Sequence, residues 1–199
     1  MTIDRARFDQ GMTYEAFKAQ MTRNRDRVEE NEGRAQLRQE DVAAFRTLPR
    51  QLNVVVLAED WCGDVIANLP VLGRLARESG KLNVRVFLRD QNDDIMQLYL
   101  NQGKYKSIPV FVFFDESFRE LGHWIERPAS VTELRAGRRR EIFAAHPEFG
   151  SPDGPVDQLP EDVRTRLQAE LQQMREETTP FANAEVVREI RELVTRVAA

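Results

Sequence analysis

The sequence contains a single cysteine, Cys62, among 199 residues. One cysteine permits no disulfide within the chain, so the fold has no covalent staple and a self-sufficient dithiol redox centre is excluded by counting. The chain also lacks a long apolar stretch, and its longest runs, such as 109–114, are far too short to span a bilayer. Because Met1 to Gln10 is polar and charged, with no signal-peptide core, we expect a cytoplasmic protein.

The chain also has no large excess of acidic or basic residues. The chain carries 33 acidic and 29 basic residues interspersed along its length, which gives a net charge of −4. This balance gives no reason to expect binding to nucleic acid or to anionic membranes. His123 and His146 make no metal-binding spacing with the one cysteine, so we expect no metal and no other cofactor.

The apolar residues that are present, 41% of the chain, suffice for one sizeable core with appendages. The first 50 residues read as an N-terminal helical extension with two helices. The first follows an N-cap at Thr13, and the second ends before Pro49. Between the two helices, the charged stretch 22–34 does not continue the apolar face of the first helix. The residues at helical spacing are Tyr14, Phe17 and Met21 in the first helix and Leu37, Val42, Phe45 and Leu48 in the second.

An α/β domain is predicted for residues 51–148. Its first two strands, 52–58 and 83–89, are near-continuous apolar runs, as expected for parallel strands covered on both faces. Helices are predicted at 62–78, 93–102 and 130–146, and an antiparallel hairpin joins strands 109–114 and 118–124. The resulting order is β-α-β-α-β-β-α, with a mixed sheet flanked by helices.

The remaining residues, 149–199, are predicted to form a C-terminal helical tail after a Pro- and Gly-rich linker at 151–160. Two apolar stripes at helical spacing run over 163–174 and 186–197, and Pro180 is expected to interrupt the helix between them. Such stripes must be buried. We expect them to pack on the chain's own domain, and the alternative is that they form the interface of a homodimer or another partner.

Cys62 directly follows a buried strand and begins an amphipathic helix. The unpaired N–H groups and the dipole of a helix N-terminus favour the thiolate, which is the nucleophile in thiol–disulfide chemistry. Glu59, Asp60 and Asp64 oppose ionisation by like-charge repulsion. We expect Cys62 to alkylate readily in the folded protein and to titrate at or below about 8.5. The alternative is a buried structural cysteine.

Four short stretches in order resemble the thioredoxin family. They are Trp61-Cys62-Gly63 after a strand, Pro70 inside the next helix, Asp90-Gln91-Asn92 closing the second strand, and Ser107-Ile108-Pro109 before an apolar strand. The resemblance covers roughly 52–124 and implies a thioredoxin-like fold with a cis bond before Pro109. It does not extend to the N-terminal helices, which look like a replacement of the family's usual strand-helix-strand unit.

Two positions depart from the family pattern. Val65 stands where thioredoxins carry their second cysteine, and Val56 stands where they carry a buried acid. The two losses are consistent, because a chain without the second thiol has no obvious use for a desolvated carboxylate. With Asp64 the motif reads W-C-G-D, which is similar to a bacterial monothiol subgroup of thioredoxin-like proteins.

The resemblance implies a catalytic Cys62 that forms a mixed disulfide with a protein or small-molecule thiol, glutathione included, which an outside thiol then resolves. Asp64 has an equal alternative role as a first-turn acid that stabilises the helix, and Trp61 an equal alternative role in packing. The competing hypothesis for the whole chain is a redox-inactive thioredoxin-fold interaction module. The residues predicted to bind substrate are Trp61, Gly63, Asp64, Ile108 and Pro109.

Overall fold

The computed structural model describes residues 2–195. Among these residues, 2–127 and 186–195 form one compact unit, and 128–185 form a second. The first unit contains a four-stranded sheet in the order β2-β1-β3-β4, in which β1 runs parallel to β2 and antiparallel to β3, and β3 and β4 form an antiparallel hairpin. This mixed sheet, flanked by helices, confirms the predicted fold class. The strands are β1 (Leu52–Ala58), β2 (Leu82–Leu88), β3 (Val110–Phe114) and β4 (Glu120–Ile125).

The first strand and the helix after it match their predictions closely. Every residue of β1 is buried, as expected for a strand paired on both sides. The helix α5 (Gly63–Ser79) begins one residue after Cys62 and contains Pro70. The helix predicted at 93–102 is wrong in length, because α6 ends at Met96 (Asp93–Met96). Gln102 and Gly103 adopt left-handed backbone conformations with φ of 53° and 68°, which no α-helix tolerates.

Four helices precede the sheet, of which α2 and α4 correspond to the two predicted. The additional α3 lies in the charged stretch, where only Val28 and Glu32 are buried. Glu32 accepts hydrogen bonds from Lys18 Nζ at 2.9 Å and from the Tyr14 hydroxyl at 3.2 Å. Burial alone would raise the pKa of Glu32, but the bond from Lys18 lowers it overall. The helices are α1 (Arg5–Phe8), α2 (Tyr14–Gln20), α3 (Arg25–Arg34) and α4 (Gln39–Arg46).

The helix predicted to close the sheet is present as α7 (Ala129–Ala145), within the second unit. There Phe143 packs with Phe149 and Leu167 in a small core of its own. The main core around the sheet instead receives buried residues from the end of the last helix. They are Val186, Val187, Ile190 and Val194.

The last helix, α8, runs without a break over Glu161–Thr195 and passes through Pro180. The predicted interruption is therefore wrong. Proline removes one N–H donor, and the hydroxyls of Thr178 and Thr179 donate to the carbonyls of Met174 and Arg175 just before it, at 2.9 and 2.8 Å. Each apolar stripe has buried members within the chain, and Val197 of the second stripe lies outside the described residues. The buried members are Leu167, Met174, Val186, Val187, Ile190 and Val194.

Candidate active site

Cys62 occupies the N-cap position of α5, where its backbone is extended with φ of −82° and ψ of 122°. A tight turn brings the chain there from the end of β1, with the Cys62 N–H donating to the Glu59 carbonyl at 3.3 Å. The Cys62 carbonyl accepts from the Ile66 N–H at 3.0 Å and so begins the helix. The thiol therefore lies at a helix N-terminus, and its side chain is partly exposed.

The loop before β3 covers one side of the sulfur. The Cys62 Sγ donates a hydrogen bond to the Ile108 carbonyl at 3.5 Å, and the Ile108–Pro109 peptide bond is cis. The Pro109 carbonyl accepts a hydrogen bond from the Glu126 N–H at 2.8 Å. The structure thus brings Cys62 next to Ile108 and Pro109, although Ile108 follows it by 46 residues in the sequence.

Burial raises the pKa of the Cys62 thiol above its ordinary value. The N–H groups of Val65 and Asp64 act against this effect, and so does the positive charge of Arg89, whereas the Asp64 carboxylate adds to it. The expectation that Cys62 titrates at or below its unperturbed pKa is therefore wrong. The helix terminus favours the thiolate as expected, but the loss of hydration outweighs it.

Trp61 points outward, with 45% of its surface exposed, and carries the Arg89 guanidinium 4.8 Å from its ring centroid. Arg89 also donates from Nη1 to the Lys106 carbonyl at 3.2 Å. This arginine therefore joins the residue before Cys62 to the loop that leads to Pro109. Sequence reasoning did not identify it, although its place beside Asp90, at the end of a predicted strand, offered a signal.

Asp64 forms an ion pair with Arg127, with 3.1 Å between Oδ2 and Nη2. The same Nη2 contacts the carboxylate of Glu126. Glu126 also accepts from Asn101 Nδ2 at 3.1 Å, and its carbonyl accepts from the buried Asn68 Nδ2 at 2.8 Å. None of these partners was predicted. The adjacent acid and base directly after a strand were the only signal for Glu126 and Arg127.

The other acidic residues near the cysteine accept hydrogen bonds from backbone N–H groups. The buried Glu59 accepts from the Asp90 N–H at 2.8 Å, and burial raises its pKa. Asp60 accepts from the Thr22 N–H at 2.8 Å and so ties the N-terminal helices to this turn. Gly63 is exposed, and a Cβ there would meet no atom within 4 Å, so packing does not require a glycine.

Val56 and Val65, the two departures from the thioredoxin pattern, are both fully buried with 0% exposure. Val56 lies at the centre of the sheet, opposite Val86 on β2 and Phe111 on β3. Val65 lies in the first turn of α5, three residues from Cys62. An apolar side chain therefore fills each place where the family carries a polar or redox group.

Over 2–195, no group of three or more His, Cys, Asp or Glu side chains could hold a metal ion. No helix within that range is long and apolar enough to cross a membrane.

Comparison with known proteins identifies the family. Two solved structures, an HIV epitope scaffold and a protein of unknown function from Pseudomonas aeruginosa, each superpose with a TM-score of 0.66. They share 17% and 16% sequence identity, and each alignment covers 98% of this chain and 99% of the other, so the likeness shows the fold alone. No curated protein sequence matches. A family model described as thioredoxin matches residues 11–140 and thus includes helices α2 to α4, which the predicted resemblance left out. The chain belongs to the thioredoxin family.

Proposed function

We propose that this protein is a monothiol member of the thioredoxin family, of the bacterial W-C-G-D type, which exchanges thiols and disulfides at Cys62. The observation that carries the proposal is the placement of the one cysteine. Its sulfur is partly exposed at the N-terminus of α5 and lies 3.5 Å from the Ile108 carbonyl, beside cis-Pro109. A helix N-terminus provides donors for a thiolate, and partial exposure gives a substrate access to it.

The exchange takes two steps. The Cys62 thiolate attacks one sulfur of a disulfide, so that a mixed disulfide forms on Cys62 and the other half leaves as a thiolate. An outside thiolate then attacks the mixed disulfide, forms a new disulfide with the bound half and releases Cys62 as a thiolate. The second step requires an outside thiol because Val65 occupies the position of the resolving cysteine and the chain has only one cysteine.

The substrate is proposed to be a protein disulfide or the disulfide of a small thiol such as glutathione, in the reducing cytoplasm. Trp61, Gly63 and Asp64 on one side, and Ile108 and Pro109 on the other, are the proposed contacts. The Ile108 carbonyl, which now accepts from Cys62 Sγ, is a backbone acceptor that an extended peptide could use once the sulfur is in a mixed disulfide.

The test compares wild type with Val65→Cys in the presence of a small symmetrical disulfide. Wild type should stop at a stable mixed disulfide on Cys62, whereas the variant should release the captured thiol and become internally oxidised, because both positions lie on the first turn of α5. Intact-protein mass and released thiol are followed over time, with Cys62→Ser as the control that should capture nothing. If wild type released the captured thiol without added thiol and without covalent dimer formation, the monothiol mechanism would be wrong.

The second candidate function is a redox-inactive interaction module, which the hydrogen bond from the Cys62 thiol to the Ile108 carbonyl favours, because it engages the sulfur as a protonated donor. The two functions differ in whether the Cys62 sulfur takes part in the function. An interaction module should leave Cys62 unmodified in the folded protein over hours with excess disulfide, and Cys62→Ser should bind the same partners as wild type.

A further inference from the structure

Arg127 is the basic residue that pairs with the carboxylate two positions after Cys62. Its Nη2 lies 3.1 Å from Oδ2 of Asp64, and Asp64 occupies the first turn of α5. Without a nearby positive charge, that carboxylate would oppose ionisation of the neighbouring thiol by like-charge repulsion. The Arg127 side chain is 33% exposed, so solvent only partly screens the pair.

Glu126 holds Arg127 in place. Its φ is 67°, in the left-handed region that a glutamate rarely adopts, and such strain persists only where surrounding contacts determine it. Those contacts involve the whole residue: its N–H donates to Pro109, its carbonyl accepts from Asn68, and its carboxylate accepts from Asn101 and Arg127. The end of β4 is thereby attached both to the cis-proline loop and to α5.

The other charged groups around Cys62 have different partners. Glu59 and Asp60, after β1, accept from backbone N–H groups of Asp90 and Thr22. Asp90, after β2, pairs with Arg89, whose guanidinium lies over Trp61. Asp64 pairs with the side chain of Arg127.

We propose that Arg127 is a positioning residue of the Cys62 site. Held by Glu126, it pairs with Asp64 and weakens the repulsion between that carboxylate and the thiolate. Burial and Asp64 both raise the pKa of Cys62, so this compensation keeps a larger fraction of the sulfur as thiolate near neutral pH. This role of Arg127 rests on the proposed exchange function, because it concerns the ionisation of the nucleophile, Cys62.

The experiment measures the rate of Cys62 alkylation by iodoacetamide, a neutral reagent, from pH 6 to 10 in wild type, Arg127→Gln, Asp64→Asn and the double variant. Arg127→Gln should raise the apparent pKa by about one pH unit and slow the reaction at pH 7 about threefold, because the thiolate fraction falls about tenfold while the thiolate becomes about threefold more nucleophilic. Asp64→Asn should speed the reaction at pH 7, and the double variant should react at the rate of Asp64→Asn, because Arg127→Gln has no effect once the carboxylate is removed. Arg127→Lys keeps the charge and should restore most of the rate.

The matched control is Arg119→Gln, which removes an ion pair with Asp115 of the same 3.1 Å length at the far end of the β3–β4 hairpin. It should leave the alkylation profile unchanged. Circular dichroism melts show whether each variant is folded, and Asp64→Asn keeps the proposal testable if Arg127→Gln does not fold. If Arg127→Gln slowed alkylation equally in the wild-type and Asp64→Asn backgrounds, or in neither, Arg127 would not act through Asp64.

Failure of this inference is distinguishable from failure of the exchange function. If the alkylation profiles shift as expected but wild type forms no mixed disulfide, the exchange function is wrong and the positioning role of Arg127 stands. If wild type forms mixed disulfides but Arg127→Gln leaves the profile unchanged, the exchange function stands and the inference about Arg127 is overturned.

Discussion

Ile190 provides a direct test of the role of the last helix. Although it lies near the end of α8, its side chain is 0% exposed and belongs to the main core around the sheet. Ile190→Ala removes the three outer carbons, and at about 0.8 kcal/mol for each buried methylene the lost transfer free energy is about 2.4 kcal/mol. The cavity left behind adds to this loss, so we expect the free energy of unfolding to fall by about 3–4 kcal/mol.

The assay is thermal unfolding followed by circular dichroism. For a chain of this length each kcal/mol shifts Tm by about 2–4 °C, so Ile190→Ala should lower Tm by roughly 6–16 °C. The control is Phe181→Ala on the same helix, where 43% of the side chain is already exposed. That substitution should change the free energy of unfolding by no more than about 1 kcal/mol.

Two results would refute this reasoning. If Ile190→Ala melted at the wild-type temperature, the end of α8 would not complete the core. If stability were kept but sedimentation showed a change from dimer to monomer, this stripe would be the homodimer interface that the sequence leaves open.

Two further predictions concern the helices that precede the sheet and α5. Gly73→Ala should destabilise the protein by about 1–3 kcal/mol in urea unfolding, because its Cβ would lie 2.3 Å from the buried Tyr14 ring. Gly33→Ala, where a Cβ meets nothing within 4 Å, should instead stabilise it by up to about 1 kcal/mol, and equal effects of the two would contradict the packing. Glu32→Gln should cost about 1–3 kcal/mol at pH 7 because the carboxylate is buried against Lys18. Since folding lowers the pKa of Glu32, that difference from wild type should be complete above about pH 5 and vanish as pH falls through the folded pKa; a constant difference down to pH 3 would contradict this.

The elements that could be predicted from the sequence are those whose signals are local. The apolar run of β1 and the helical spacing after Cys62 each lie within one window of sequence, and both elements formed within a residue of their predicted bounds. The charged helix α3 carries no such stripe. Its buried residues are Val28 and Glu32, and the Glu32 carboxylate binds side chains on other helices, so no periodicity could reveal it.

The partners of the site could not be predicted for the same reason. Asn68, Glu126 and Arg127 are ordinary polar residues in sequence and gain their roles only when the end of β4 meets α5 and the cis-proline loop. Sequence reasoning could place Cys62 at a helix terminus because that relation is local. It could not show how deeply the sulfur is buried, because the Ile108 carbonyl arrives from 46 residues further along the chain.

That unpredicted burial bears on the choice between the two functions. At a pH below the pKa, each unit of increase in the pKa lowers the thiolate fraction about tenfold. The same increase raises the intrinsic nucleophilicity of the thiolate about threefold. The net loss of rate for each unit is therefore only about threefold. A thiolate of high pKa is also a poor leaving group. When an outside thiol attacks the substrate sulfur of the mixed disulfide, Cys62 is therefore released more slowly. The raised pKa thus favours a mixed disulfide that persists until an outside thiol resolves it, and by itself it does not favour an inactive module over a monothiol enzyme.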